Sequence, residues 1–239
     1  MTRHVQLDNI EHRHLRVDTT RGEAFGDGVM LAPTFPGEFR EIQAHYPIVF
    51  HRDGDGHGDG MIQPVALFGL QRGRNLFLGR GRWDAAYVPL AIERQPFLVG
   101  AGGQALSVHI DLDSPRLQTG RGEALFLEHG GVSGFLERMQ SVLLALHDGL
   151  ATVPVFAEAL TAHRLVEPFS LDVRLDDGAR HRLEGFLTID EQRVRALDPA
   201  TAGQLHADGH LEAIHMAMAS VSRFRDLIDR MNRADGSDR

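Results

Sequence analysis

Val132-Ser-Gly-Phe-Leu-Glu-Arg-Met-Gln-Ser-Val-Leu-Leu-Ala-Leu146 is where the chain changes period. Val132, Phe135, Leu136, Met139, Val142, Leu143 and Leu146 recur at steps of three and four, which places apolar side chains on one face of an α-helix. Gly149 stands where that helix is expected to end. A second helix is expected over 152–165, with Thr152 as its cap and Pro154 tolerated in its first turn. Beyond it the period falls to two. Phe169, Leu171, Val173 and Leu175 alternate with polar residues, Asp177-Gly178 supplies a turn, and 183–189 returns, which predicts a hairpin.

Working outward from this switch, the apolar runs before residue 130 are short and strand-like: 47–50, 65–70, 75–79 and 105–112. The runs 65–70 and 75–79, joined by QRGR, are expected to pair with each other. Near the start, HRHLRV within 4–18 reads as an edge strand, 22–28 as loop and 38–46 as a helical turn. Toward the end, Asp198-Pro199 starts a helix by cap and first-turn proline. A last helix opens near Gly209 with Leu211, Ile214, Met218, Val221, Arg225 and Ile228 along one stripe, widened by Phe224 and Leu227. That stripe either closes the core or forms a homodimer interface. Strands, then helices, then strands again predict an α+β fold: an antiparallel sheet of the N-terminal half plus the later hairpin, packed against the C-terminal helices. The 239 residues are read as a single domain with a weak subdivision near 130.

Composition removes whole classes of chemistry. A net charge of −8 and a pI near 5.9 argue against nucleic-acid binding, which needs a positive field. No unbroken apolar run reaches the roughly 20 residues that cross a bilayer, and MTRHVQLDN lacks a signal-peptide pattern, so no membrane insertion and a cytoplasmic address are expected. Cysteine is absent, which removes disulfides, thiolate nucleophiles and cysteine-ligated metals. All 25 basic residues are arginine, so Walker, Schiff-base and Ser-x-x-Lys lysines are impossible.

Four patterns have the residue types that chemistry uses. The stretch 79–100, GRGRWDAAYVPLAIERQPFLVG, holds the only tryptophan and one of two tyrosines among arginines. There Arg82, Trp83, Asp84, Tyr87 and Arg94 form the candidate ligand or partner site, since large amphipathic rings beside guanidiniums suit a polar ligand or a satisfied polar core. If Trp83 and Tyr87 lie on a helical turn, their four-residue spacing shares a face. His109-Ile-Asp111 on a strand points two ligands one way, as in jelly-roll iron oxygenases, and His163 or His181 is the available third ligand. The loop HRDGDGHGDG at 51–60 alternates acids with glycine but has Pro64 where a calcium loop needs Glu, so a hairpin tip is expected. Gly100-Ala-Gly-Gly-Gln-Ala105 matches G-x-G-x-x-A, yet a strand follows where a dinucleotide site needs a helix.

Taken in order, Tyr46-Pro-Ile-Val-Phe50, Pro64-Val-Ala-Leu-Phe-Gly-Leu70, Asn75-Leu-Phe-Leu78, Gly81-Arg-Trp83 with Tyr87-Val-Pro89, Arg94-Gln-Pro-Phe97, Ile110-Asp-Leu-Asp-Ser114, Gly185-Phe-Leu-Thr-Ile-Asp-Glu191 and the leucine-rich last helix resemble the SapC family of bacterial proteins. None of these motifs is a catalytic signature. The resemblance implies a neighbourhood of surface-layer proteins, TonB-dependent receptors, halogenase-like proteins and cupin-like oxygenases, and a residue other than His109, often cysteine, at that position. Two readings stand. In one, the chain is an accessory protein without cofactor that binds a protein or peptide of a surface-layer, uptake or halogenase-like system. In the other, it modifies peptides or amino acids with Fe(II) and 2-oxoglutarate at His109, Asp111 and His181.

Overall fold

A computed structural model describes residues 3–52, 60–100 and 107–237. Most of the acid-glycine loop and of the G-x-G-x-x-A segment therefore lies outside the described residues. In chain order the first elements are β1 (His4–Gln6), β2 (Arg16–Val17), β3 (Leu31–Pro33), α1 (Phe39–Ile42), β4 (Ile48–Arg52) and β5 (Ile62–Leu67). Next come β6 (Leu78–Gly79), β7 (Arg82–Trp83), α2 (Leu90–Glu93), β8 (Phe97–Gly100), β9 (Ser107–Asp111), β10 (Leu117–Gln118) and β11 (Glu123–Ala124). The remainder is α3 (Gly134–Ala151), α4 (Val153–Ala162), β12 (Val166–Arg174), β13 (Arg180–Ile189), α5 (Glu191–Arg195), α6 (Pro199–Ala207), α7 (His210–Ser220) and α8 (Phe224–Ser237). The fold is α+β, with antiparallel sheets and mostly C-terminal helices.

The chain groups into two compact units, each assembled from separated segments. The first takes Met1–Gly28, Leu78–Asp84 and Leu90–Asp148. It contains the sheets β1-β9-β8 and β10-β2-β11 and the ribbon β6-β7. Arg80 and Gly81, both at positive φ, make the two-residue turn of that ribbon, a geometry whose twist suits a tight hairpin. The apolar core gathers Val17, Phe97, Ile110 and Leu125 under Leu136, Met139, Val142 and Leu143 of α3. Beside it lies a buried ion pair. Arg116 (1% exposed) puts Nη2 at 2.7 and 2.6 Å from the two oxygens of Asp27 (0% exposed). Its Nη1 donates to the carbonyls of Asp18 and Thr20, and its guanidinium sits 5.4 Å from the Phe25 ring centre. The segment predicted to be an edge strand is corrected here: only Arg16–Val17 is extended, and it is the middle strand of its sheet.

The second unit takes Val29–Phe77, Ala85–Pro89 and Gly149–Arg239. One antiparallel sheet in the order β12-β13-β4-β5-β3 organises it, joining N-terminal strands to the later hairpin as the alternating pattern predicts. Asp177 accepts from the Ala179 amide and Gly178 takes φ 90°, which is the local turn chemistry of that hairpin. The register shifts between Phe169 and Leu171, and Gly185 at φ 86° absorbs the extra residue on the opposite strand. α4 packs on β5, and α7 on β13 and β4. Phe156 of α4 meets the rings of Phe39 and Phe50 at 5.9 and 6.4 Å.

Several local expectations are corrected by packing. Gly149 does not end α3 but lies inside it. A Cβ there would stand 2.2 Å from Phe35 Cε2, so glycine is required by the ring and not by a turn. Thr152 stands at the start of α4 without capping it; its hydroxyl donates back to Gly149 O at 2.7 Å. The runs 65–70 and 75–79 meet through one backbone bond, Leu76 N–H to Phe68 O at 2.8 Å, but form no ladder, since β5 takes β3 and β4 as its neighbours. The last helix is two, α7 and α8, separated by a 3₁₀ turn at Val221–Arg223. There the buried Ser220 hydroxyl accepts from the Ile48 amide at 2.9 Å and donates to Ala217 O at 2.6 Å. Asp198 does cap α6, accepting from the Ala200 and Thr201 amides. The stretch Gly134–Ala162 is long and apolar enough to cross a membrane by length and composition alone, and 39% of its apolar 18-residue segment is buried.

Candidate functional site: an arginine-lined cleft

The two tyrosines of the chain meet in the second unit. Tyr46, fully buried at the end of the α1 turn, donates its hydroxyl to the carbonyl of Tyr87. Tyr87 in turn donates to Glu38 Oε1 at 2.9 Å, and Thr34 donates to Glu38 Oε2 at 2.7 Å. Glu38 is 3% exposed, so this carboxylate is retained in the interior because both of its oxygens are bonded. The Tyr46 ring then packs edge-on against Phe77 at 4.7 Å.

Phe77 is the floor of a cleft of about 290 Å³ lined also by Ala44, His45, Ala85 and the polar face formed by Arg223, Asp226, Asp229, Arg230 and Arg233. Arg223, Asp226, Arg230 and Arg233 follow one another at steps of three and four, and Asp229 stands three after Asp226 and four before Arg233, so one side of the 3₁₀ turn and α8 presents them together. Arg230 lies 4.2 Å over the Phe77 ring and donates to Leu76 O at 3.4 Å. Arg223 donates Nε to Gln43 O at 3.3 Å, satisfying a carbonyl at the end of α1, and Nη1 to Asp226 at 3.0 Å. Arg223 and Arg230 are thus held in place by groups of the protein itself. His45 lies edge-on to Tyr46 at 5.8 Å. Burial first, then Arg223, holds its imidazole below the usual histidine range, with Arg230 adding and Glu41 opposing.

The residues singled out in 79–100 divide between the units. Arg82, Trp83, Asp84 and Arg94 belong to the first and Tyr87 to the second. Trp83 is buried on β7 and Tyr87 is half-buried outside any helix, so the shared helical face expected of them does not form. Arg82 and Asp84 are exposed. Arg94 is half-buried and donates to Phe97 O at 2.6 Å, and desolvation lowers its pKa. His109 and Asp111 share β9 in the first unit, while His181 is on β13 in the second. His109 folds against Gly100, where a Cβ would come within 2.2 Å of its Nε2. Asp111 accepts from the Asp113 amide at 3.1 Å, and His181 Nδ1 lies 2.8 Å from Gln71 Nε2. His163 follows α4 at the surface. Among the described residues no three or more His, Asp or Glu side chains gather as a metal-holding group.

Sequence reading passed over His45, Glu38 and the arginines of the cleft. The spacing of Arg223, Asp226, Arg230 and Arg233 was the available signal, hidden behind the apolar stripe of the same helix. The fold is α+β, and the side chains lining the cleft bring guanidiniums, carboxylates and an imidazole together without a hydroxyl or thiol. The family model described as SapC matches residues 7–227, and the chain belongs to that family. No curated protein and no solved structure matches it.

Proposed function

We propose that this SapC family member is an accessory binding protein of a bacterial surface-layer or TonB-dependent uptake system, acting in the cytoplasm on a protein or peptide partner and without catalysis of its own. What supports this is the convergence of Arg223, Arg230 and Arg233 on one cleft in a chain whose net charge is −8. Guanidiniums concentrated against the sign of the whole molecule attract an anionic group and orient it through paired N–H donors. The lining offers charge and hydrogen bonds, and its side chains include no hydroxyl or thiol.

The test is co-purification of the full chain with its genomic neighbours, comparing wild type with Arg223→Gln/Arg230→Gln. Retention of a partner by wild type and its loss from the double variant is expected. Arg82→Ala and Arg94→Ala are added to the series because the 79–100 stretch is the second proposed contact. The oxygenase reading makes a different demand. Stoichiometric iron in freshly purified protein, lost in His109→Ala and accompanied by 2-oxoglutarate turnover, would replace the accessory role.

A further inference from the structure

Three guanidiniums and two carboxylates line the cleft, which leaves one formal positive charge for a ligand to meet. A monoanion balances that charge. A dianion such as a phosphate monoester would bring its second charge toward Asp226 and Asp229. The donors are guanidiniums, whose planar fork fits the two coplanar oxygens of a carboxylate. Arg223 and Arg230 are oriented beforehand by Gln43 O, Leu76 O and the Phe77 ring, so little side-chain freedom is lost on binding. Asp229 and Arg233 are exposed at the rim, where a side chain of another polypeptide can enter.

We infer that this cleft receives a single carboxylate on an acidic segment of a partner polypeptide, and that His45 becomes a further donor to it on gaining a proton. The inference rests on reading the chain as a binding protein and names the chemistry of what is bound. The charged groups facing His45 are Glu41 beside it on α1, Arg223 in the 3₁₀ turn, and Asp226, Asp229, Arg230 and Arg233 of the following helix. In the free protein, burial and the arginines disfavour its protonation. A carboxylate among the arginines offsets their field, so the complex holds the proton more tightly than the free protein does. Binding then takes up a proton between the two pKa values, and affinity rises as pH falls through that interval.

The experiment titrates the full chain calorimetrically with an end-capped tri-glutamate peptide, with a capped tri-glutamine peptide and with inorganic phosphate, at pH values of about 5.5 and 8. Tri-glutamate is expected to bind, more tightly at the lower pH, and tri-glutamine to give no signal. Arg230→Gln should weaken tri-glutamate about tenfold by removing a charge-assisted contact. His45→Gln, checked for folding by circular dichroism, should remove most of the pH dependence. Absence of tri-glutamate binding, tighter binding of phosphate, indifference to Arg230→Gln, or an unchanged pH dependence in His45→Gln would each overturn the inference. If wild type still captures a neighbour that the double arginine variant loses, those failures remove the carboxylate assignment and leave the accessory role standing. If capture fails while tri-glutamate binds, the accessory role falls instead.

Discussion

Asp27→Ala strips the counter-charge from Arg116, whose guanidinium has almost no access to water. In the native protein Nη2 is within 2.7 Å of both carboxylate oxygens, Nη1 reaches Asp18 O at 3.2 Å and Thr20 O at 2.9 Å, and Nε has no hydrogen-bond partner among the described residues. Removing Asp27 leaves Nη1 bonded but takes both contacts of Nη2, and the Gly22 amide loses its acceptor as well. Arg21 Nη1, 3.5 Å from the same carboxylate, is left facing a second uncompensated cation. Breaking a buried pair from one side costs about 3–5 kcal/mol, and the additional lost acceptor places this case at about 4 kcal/mol. For a chain of this size that is a fall in Tm of about 8–16 °C. Thermal and urea unfolding followed by circular dichroism measure it. The double variant Asp27→Ala/Arg116→Met should recover most of the loss, since an apolar replacement of a buried pair is close to neutral. A cost below about 1 kcal/mol for Asp27→Ala, or a double variant no more stable than the single one, would refute the view that this pair is a charge-balanced strut.

Three further outcomes follow from the packing. Trp83 is 7% exposed on β7, so Trp83→Ala should cost about 3–5 kcal/mol in urea unfolding; a cost under about 1 kcal/mol would make it a surface residue. Gly149→Ala gains about 1 kcal/mol of helix propensity but drives a methyl to 2.2 Å from the Phe35 ring, an overpacking of about 1–3 kcal/mol, so net destabilisation is expected and a net gain would disprove the ring's hold on that position. His45 has its pKa lowered on folding, so the unfolded chain binds the extra proton; the stability it contributes is present above the unfolded value and is lost as pH falls through the window between unfolded and folded values. His45→Gln should flatten that part of the stability profile, and an unchanged profile would refute the assignment.

What the sequence made legible is what neighbouring residues decide among themselves. The hairpin of β12 and β13 is carried by alternation and by Asp177-Gly178, and the α6 start by Asp198-Pro199, so both were predicted from a few residues of chain. What it hid depends on distant partners. A glycine at 149 reads as a helix stop until Phe35 is seen to occupy its missing side chain. The stripe from Leu211 to Ile228 reads as one helix until Ser220 is seen to take the Ile48 amide. Tyr87 was visible as an aromatic with a polar tip, whereas its acceptor Glu38 had no signal in the sequence around it.

The complete use of arginine gives this chain a common structural device. Arg116 donates to the carbonyls of Asp18 and Thr20, Arg21 to Ile92, Arg94 to Phe97, Arg16 to Gly122, Arg223 to Gln43 and Arg230 to Leu76. A guanidinium carries five N–H groups in a rigid fork, so tying one to a carbonyl fixes the plane of the rest; an ammonium on a flexible stem fixes only a point. Within the first unit this braces short strands whose ladders are too brief to hold themselves, as around β2. At the cleft the same bond does something more, because the fork it orients opens onto a solvent-entered space with His45 beside it. Arg230→Lys would keep the charge while losing both the stack on Phe77 and the bond to Leu76. Its effect on tri-glutamate binding should therefore approach that of Arg230→Gln, and binding equal to wild type would mean that the cleft works by field alone.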